Sequence, residues 1–146
     1  MSARFISTPL SVAENTQVGC EFVDTDGTTA QAAVTGGAND SLILALIATN
    51  ADSVDADVQV FLADDDTPAN VRLLGTVNVP TLAGTNGTTP SVDLLAGIAG
   101  LEKRDDGAFM LGAGQQLQVA PLAALTESSG EKLTIVPHGG NYAAVA

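Results

Sequence analysis

The sequence predicts an all-β chain: a single antiparallel β-sandwich of jelly-roll kind over residues 1–146, with one short helix near 92–101. Three observations carry this expectation. Apolar and polar residues alternate in run after run, residues suited to tight turns separate the runs, and lysine, a helix former, stands only at 103 and 132. Successive side chains leave a strand on opposite sides, so each alternating run makes one dry face and one wet face.

Taken in order, Phe5–Leu10 is a first strand candidate. Val18, Cys20 and Phe22 then point one way, against Gln17, Gly19 and Glu21. Thr28–Val34 is a weaker candidate. Leu42–Ala48 does not alternate, and periodicity alone does not separate a doubly buried strand from a short buried helix. Its length favours a central strand covered on both faces. Ala56, Val58, Val60 and Leu62 alternate with Asp55, Asp57 and Gln59, with Phe61 as the exception. Val71, Leu73, Val77 and Val79 share a face opposite Arg72, Thr76 and Asn78, with Leu74 the misfit. Ala108–Gly112 is a weaker run, and Leu117 with Val119, then Leu133 with Ile135, close the series. Asp26-Gly27, Gly36-Gly37, Asn86-Gly87, Asp106-Gly107 and Gly139-Gly140 supply turn residues that tolerate positive φ. Asp64-Asp65-Asp66-Thr67-Pro68 ends another strand. The helix rests on the stripe Leu94, Leu95, Ile98 and Leu101, with Ser91 as N-cap and Gly100 near the end.

Composition narrows the function. The chain is 45% hydrophobic and only 15% charged, against a usual charged share of about 25%. Seventeen acidic residues against five basic ones give a formal charge of −12. A nucleic-acid binder needs a basic footprint, and Lys103–Arg104 is the sole adjacent cation pair. One Cys and one His do not make a zinc site. The apolar run Leu42–Ala48 is far short of the roughly 18–20 residues that span a bilayer, so no membrane role is expected. Ser7, Thr8, Pro9 and Ser11 interrupt any secretory core, although Ser11-Val12-Ala13 mimics a cleavage site.

Catalytic residue sets are sparse. A serine triad has one base available, His138, and the nearest serines, Ser128 and Ser129, lack a G-x-S-x-G elbow. A Cys20–His138 dyad fits on paper, but Cys20 sits on the apolar face of its strand, where a thiol acts as a small inert hydrophobe. No phosphate-cradling glycine motif precedes a helix, and Gly112-Ala-Gly114 reads as a tight hairpin turn. With no Trp and one Tyr, a sugar cleft lacks its aromatic platforms. Asp24-Thr-Asp26-Gly27 is a fragment of a calcium loop without the EF-hand spacing. Asp64, Asp65 and Asp66 meeting Asp24 or Asp55 in space are the remaining metal candidates; otherwise these acids serve solubility. The expectation is therefore a non-enzyme without a cofactor. A monomeric calcium- or ligand-binding sandwich is kept as the alternative from another class.

The apolar surplus points to partner contact. Two segments are candidate contact arms: 1–10, with Phe5, Ile6 and Pro9, and 137–146, with Tyr142. The C-terminal third then carries a resemblance. Leu111, Gly112, Gly114, Leu117, Val119, Gly139, Gly140 and Tyr142, after Asp93-Leu-Leu95, resemble the hairpin, final strand and Gly-Gly-x-Tyr ending of small structural proteins of tailed bacteriophages. Pro121 interrupts the strand after the hairpin, which suits an edge or bulge, and Asn141 replaces a residue that is commonly acidic. The resemblance implies a virion β-sandwich that works by assembly. A −12 chain is repelled from packaged DNA, which favours the outside of the shell. The expected protein is an outer capsid decoration or cement protein in the virion. It would be a homo-oligomer, a trimer for choice, bound to itself and to major capsid or other virion proteins. A tail or neck component is the rival.

Overall fold

The computed structural model describes residues 6–64, 70–104, 107–126 and 132–143. These residues form two antiparallel sheets in a sandwich-like arrangement. The first contains β1 (Ile6–Pro9), β2 (Cys20–Phe22), β4 (Ser41–Asn50), β7 (Val92–Asp93), β8 (Phe109–Leu111) and β10 (Leu133–Tyr142). The second contains β3 (Gln31–Thr35), β5 (Ala56–Ala63), β6 (Val71–Val79) and β9 (Gln116–Pro121). In the six-stranded sheet the order runs β1-β10-β4-β7, with β2 also on β10 and β8 also on β4. In the four-stranded sheet it runs β3-β9-β5-β6. A short helix, α1 (Val12–Asn15), starts at Ser11, whose hydroxyl accepts the Glu14 N–H.

The inward faces meet in one hydrophobic cluster. Ile43, Leu46, Leu133 and Ile135 from the first sheet pack with Val58, Val60, Val77, Leu117 and Val119 from the second, all buried. Fully burying each such side chain is worth about 1.5–3 kcal/mol.

Where alternation broke in the sequence, the sheets carry bulges. Between Val60 and Phe61 the register with β6 shifts: Gly75 faces Val60, Leu73 faces Phe61, and Leu74 is the extra residue. The extra residue reverses the facing of everything beyond it. Leu73, expected on the buried face, is therefore outside with Phe61, while Leu74 packs on the core. The non-alternating run 42–48 has the same origin. His138 faces Ala45 and Gly139 faces Ile43, so Leu44 is extra and both Ile43 and Leu46 point inward. Coverage of β4 on both faces holds at Leu42, which is buried with Ala108 and Tyr142, but Leu44 is exposed.

The helix expected near 92–101 is absent. Val92–Asp93 instead pairs with Ala48 and Ile47, and turns follow. The apolar stripe is real, since Leu94, Leu95 and Ile98 are buried. Its backbone is claimed elsewhere: Leu94 N–H donates to Leu46 O, and the Asp93 carboxylate accepts the Leu46 and Leu95 N–H groups. Gly97 presses on Val77, where an added Cβ would lie 2.7 Å from a methyl group. Gly112–Gly114 is a turn as expected, but it joins strands of different sheets, so it closes no hairpin.

The last strand runs further than the alternation showed. Pro137–Tyr142, expected within a contact arm, belongs to β10 and pairs with both β4 and β1. Ile6 and Pro9 of the other expected arm likewise sit in β1, opposite Tyr142 and Gly140, whereas Phe5 lies outside the described residues.

Candidate functional site

The two outer faces differ in chemistry. On the four-stranded sheet, Asp57, Gln59, Thr76, Asn78, Gln116 and Gln118 face outward. They bond laterally: Asn78 Nδ2 donates to Asp57 Oδ1 at 3.0 Å, and Gln118 Nε2 to Gln116 Oε1 at 2.8 Å. Phe61 and Leu73 are the apolar residues at one end of that face. The six-stranded sheet is the reverse. Met110 faces Leu42, Val136 faces Ile47, and His138 faces Ala45 on its outer side. Leu44 is 50% exposed, Val136 42% and Met110 41%. Strands β4, β8 and β10 contain no Asp, Glu, Lys or Arg at all in a chain that carries 17 acidic residues. The result is an uncharged, largely aliphatic panel on an acidic body. Such a surface gains free energy when a partner covers it.

Asp93 of β7 lies beside β4, opposite Ile47, and further charge gathers at the two ends of the panel. At one end Lys132 Nζ lies 3.2 Å from Glu21 Oε1. At the other, Glu102, Lys103 and Arg104 line a cavity with Phe109 and Met110. Arg104 also donates to the Tyr142 hydroxyl, and Ala108 and Leu42 are buried with Tyr142. Tyr142, expected to make contacts, is therefore buried within the chain.

Beside this end lies a polar knot that the sequence did not announce. Asn15, Ser41 and Asn141 are buried. The two amides bond reciprocally: Asn15 Nδ2 donates to Asn141 Oδ1 at 2.9 Å, and Asn141 Nδ2 to Asn15 Oδ1 at 2.8 Å. Their remaining hydrogens go to Thr35 O and Glu14 Oε2, and Ser41 Oγ donates to Asn141 Oδ1 while accepting Gly37 N–H. The knot ties α1, the Gly36–Gly37 turn, β4 and β10 together. Asn141 stands where the resemblance expects an acid, and the structure gives a reason: a carboxylate there would face Glu14 and the Asn15 carbonyl with nothing to donate. Asn141→Asp is expected to lose about 2–4 kcal/mol of stability by chemical denaturation, and Glu14→Gln, which restores a donor, to recover part of it.

Among the described residues the metal candidates do not assemble. Asp26 Oδ2 accepts the Val23 N–H at 2.7 Å and so caps its own turn after Asp24. Asp64 pairs with Arg72 at 3.0 Å. Asp55 flanks the other end of the eight-residue β5, which puts it roughly 30 Å from Asp64. Asp65 and Asp66 lie outside the described residues, as do Ser128 and Ser129. Among the described residues no three His, Cys, Asp or Glu side chains group to hold an ion.

Nor does the Cys20–His138 dyad form. Cys20 faces Ile135, on the inner side of β10, whereas His138 is three residues further and on the outer side. Burial also pushes the Cys20 thiol up to about 12, which suppresses the thiolate that a nucleophile needs. The folded chain holds this proton more tightly than the unfolded one. The thiol's stabilising contribution is thus complete below about pH 9 and lost as pH rises toward 12. No protein-family model, curated protein or solved structure matches the chain.

Proposed function

We propose that this is a virion structural protein of a tailed phage, an outer capsid decoration or cement protein that acts by contact and not by chemistry. The observation that carries the reading is the panel: Leu44, Met110 and Val136 are exposed on three strands free of formal charge, on a body of −12. The acidic remainder disfavours packaged DNA, and the panel, whose three strands hold no carboxylate, is the surface that repels an approaching protein least.

Strand order supports the same reading. First and last strands interleave in both sheets, β2 beside β10 beside β4 and β3 beside β9 beside β5. Such an order supports a jelly-roll reading, an architecture used by many capsid proteins. That support is analogy of fold.

The test is stoichiometry in purified virions, by mass spectrometry and cryo-EM, for the wild type and Val136→Glu. Hundreds of copies on the outer shell are expected, with Val136→Glu folded but lost from the particle. Particles without the protein overturn the reading, and a few copies in a six- or twelve-fold ring transfer it to the tail or neck.

A further inference from the structure

We infer that Asn86 converts itself to an acid: its side-chain amide is hydrolysed through attack by the next main-chain nitrogen, that of Gly87, without an enzyme. The site is independent of the contact panel. Asn86 and Gly87 are both exposed, in the turns between β6 and β7.

The reaction needs a main-chain N–H that is free to lose its proton, and the fold selects one asparagine by that requirement. Gly87 N–H donates to no group among the described residues. After Asn15, Asn39, Asn50 and Asn141 the following N–H is taken: Thr16 donates to Val12 O, Asp40 to Gly37 O, Ala51 to Lys132 O and Tyr142 to Asp40 O. Asn70 and Asn78 precede valines of β6, whose branched side chains crowd the nitrogen. At Asp26-Gly27, too, the Gly27 N–H is held, by Asp24 O. Gly87 has no side chain to screen its nitrogen, and at φ 76° nothing lies within 4 Å of where a Cβ would stand.

The amide is prepared as well. Asn86 Oδ1 accepts the Thr88 N–H at 2.9 Å and the Thr89 N–H at 2.8 Å. Negative charge develops on this oxygen as nitrogen adds to Cγ, so both donors hold the tetrahedral intermediate more strongly than the amide. Hydroxide takes the Gly87 proton, the N–Cγ bond forms, and a five-membered ring closes. The Cγ–Nδ2 bond then breaks, and Nδ2, which donates to Thr89 Oγ1 at 3.4 Å, leaves as ammonia with a proton from water. Water opens the ring at Cγ to give aspartate, or at the main-chain carbonyl carbon to give isoaspartate. In sum, amide and water become carboxylate and ammonium, and nothing is oxidised. The new negative charge falls in the stretch 73–92, which holds no charged residue.

Ion exchange and peptide mapping by mass spectrometry test this on the full chain, stored folded at neutral and at mildly alkaline pH. A more acidic species is expected to accumulate, faster at the higher pH, with OH in place of NH2 at position 86 before any other asparagine. Asn86→Gln should keep its charge over the same storage, because its ring would need a sixth member. Gly87→Ala should convert about tenfold more slowly, since a Cβ screens the attacking nitrogen. Conversion in the folded chain should at least match that in urea, because the two donors exist only in the turn. An intact Asn86 after storage overturns the inference, as does earlier conversion of another asparagine. So does a chain that converts about tenfold faster in urea than when folded, or a Gly87→Ala that keeps pace with the wild type.

Discussion

Val58→Asp is expected to abolish cooperative folding, while Gln59→Asp, one residue away, leaves a soluble protein with a nearly unchanged melting temperature. Val58 is fully buried on the inner face of β5, between Val77 of β6 and Pro121 of β9. Removing it forfeits about 2 kcal/mol of apolar burial, and the carboxylate that replaces it meets the side chains of the shared core. A buried unpaired charge costs several kcal/mol even when protonation relieves part of it. Together these approach the whole stability of a small domain, about 5–15 kcal/mol. Gln59 faces outward beside Thr76, in a row of polar side chains, where a new carboxylate keeps its water. Urea denaturation of both variants checks the register. Equal midpoints would mean that β5 is turned the other way.

This pair probes what alternation makes legible. Period-2 patterning located β5, β6, β9 and the start of β10 and named their inward residues wherever the ladder was regular. It failed where a bulge adds a residue, because parity counted from one side of Leu74 or Leu44 is reversed on the other. The run Leu94–Leu101 misled for a related reason. Buried residues spaced like a helical stripe also arise in a turn segment whose N–H groups are taken by Leu46 and Asp93, and sequence alone does not show where a hydrogen bond goes. The panel had no local signal. The surplus of apolar residues implies exposed apolar surface, but no local pattern shows that β4, β8 and β10 become neighbours and gather Leu44, Met110 and Val136 on one sheet. The amide knot was invisible for the same reason: Asn15 and Asn141 are 126 positions apart.

Gly139→Ala is the second large effect expected, and it shows what the Gly-Gly-x-Tyr ending does. Gly139 sits at the bulge where β10 passes β4, facing Ile43. A Cβ built there would lie 1.9 Å from the Leu42 carbonyl oxygen and 3.1 Å from the Ile43 Cα. Both are backbone atoms, so no side chain can swing aside, and the two central strands of the sheet must part. Overpacking of a core costs about 1–3 kcal/mol when side chains can give. Here about 3 kcal/mol or more is expected, with Asn141 and its amide knot pulled out of line two residues later. Gly112→Ala is the matched control from the same resemblance. Its added Cβ would meet the end of the Gln115 side chain at 3.0 Å, which can rotate away, so a loss of about 1 kcal/mol is expected. Thermal melts of the two variants separate the roles. A large drop confined to Gly139→Ala assigns that glycine to strand contact, and equal small drops would refute the close approach of β10 to β4.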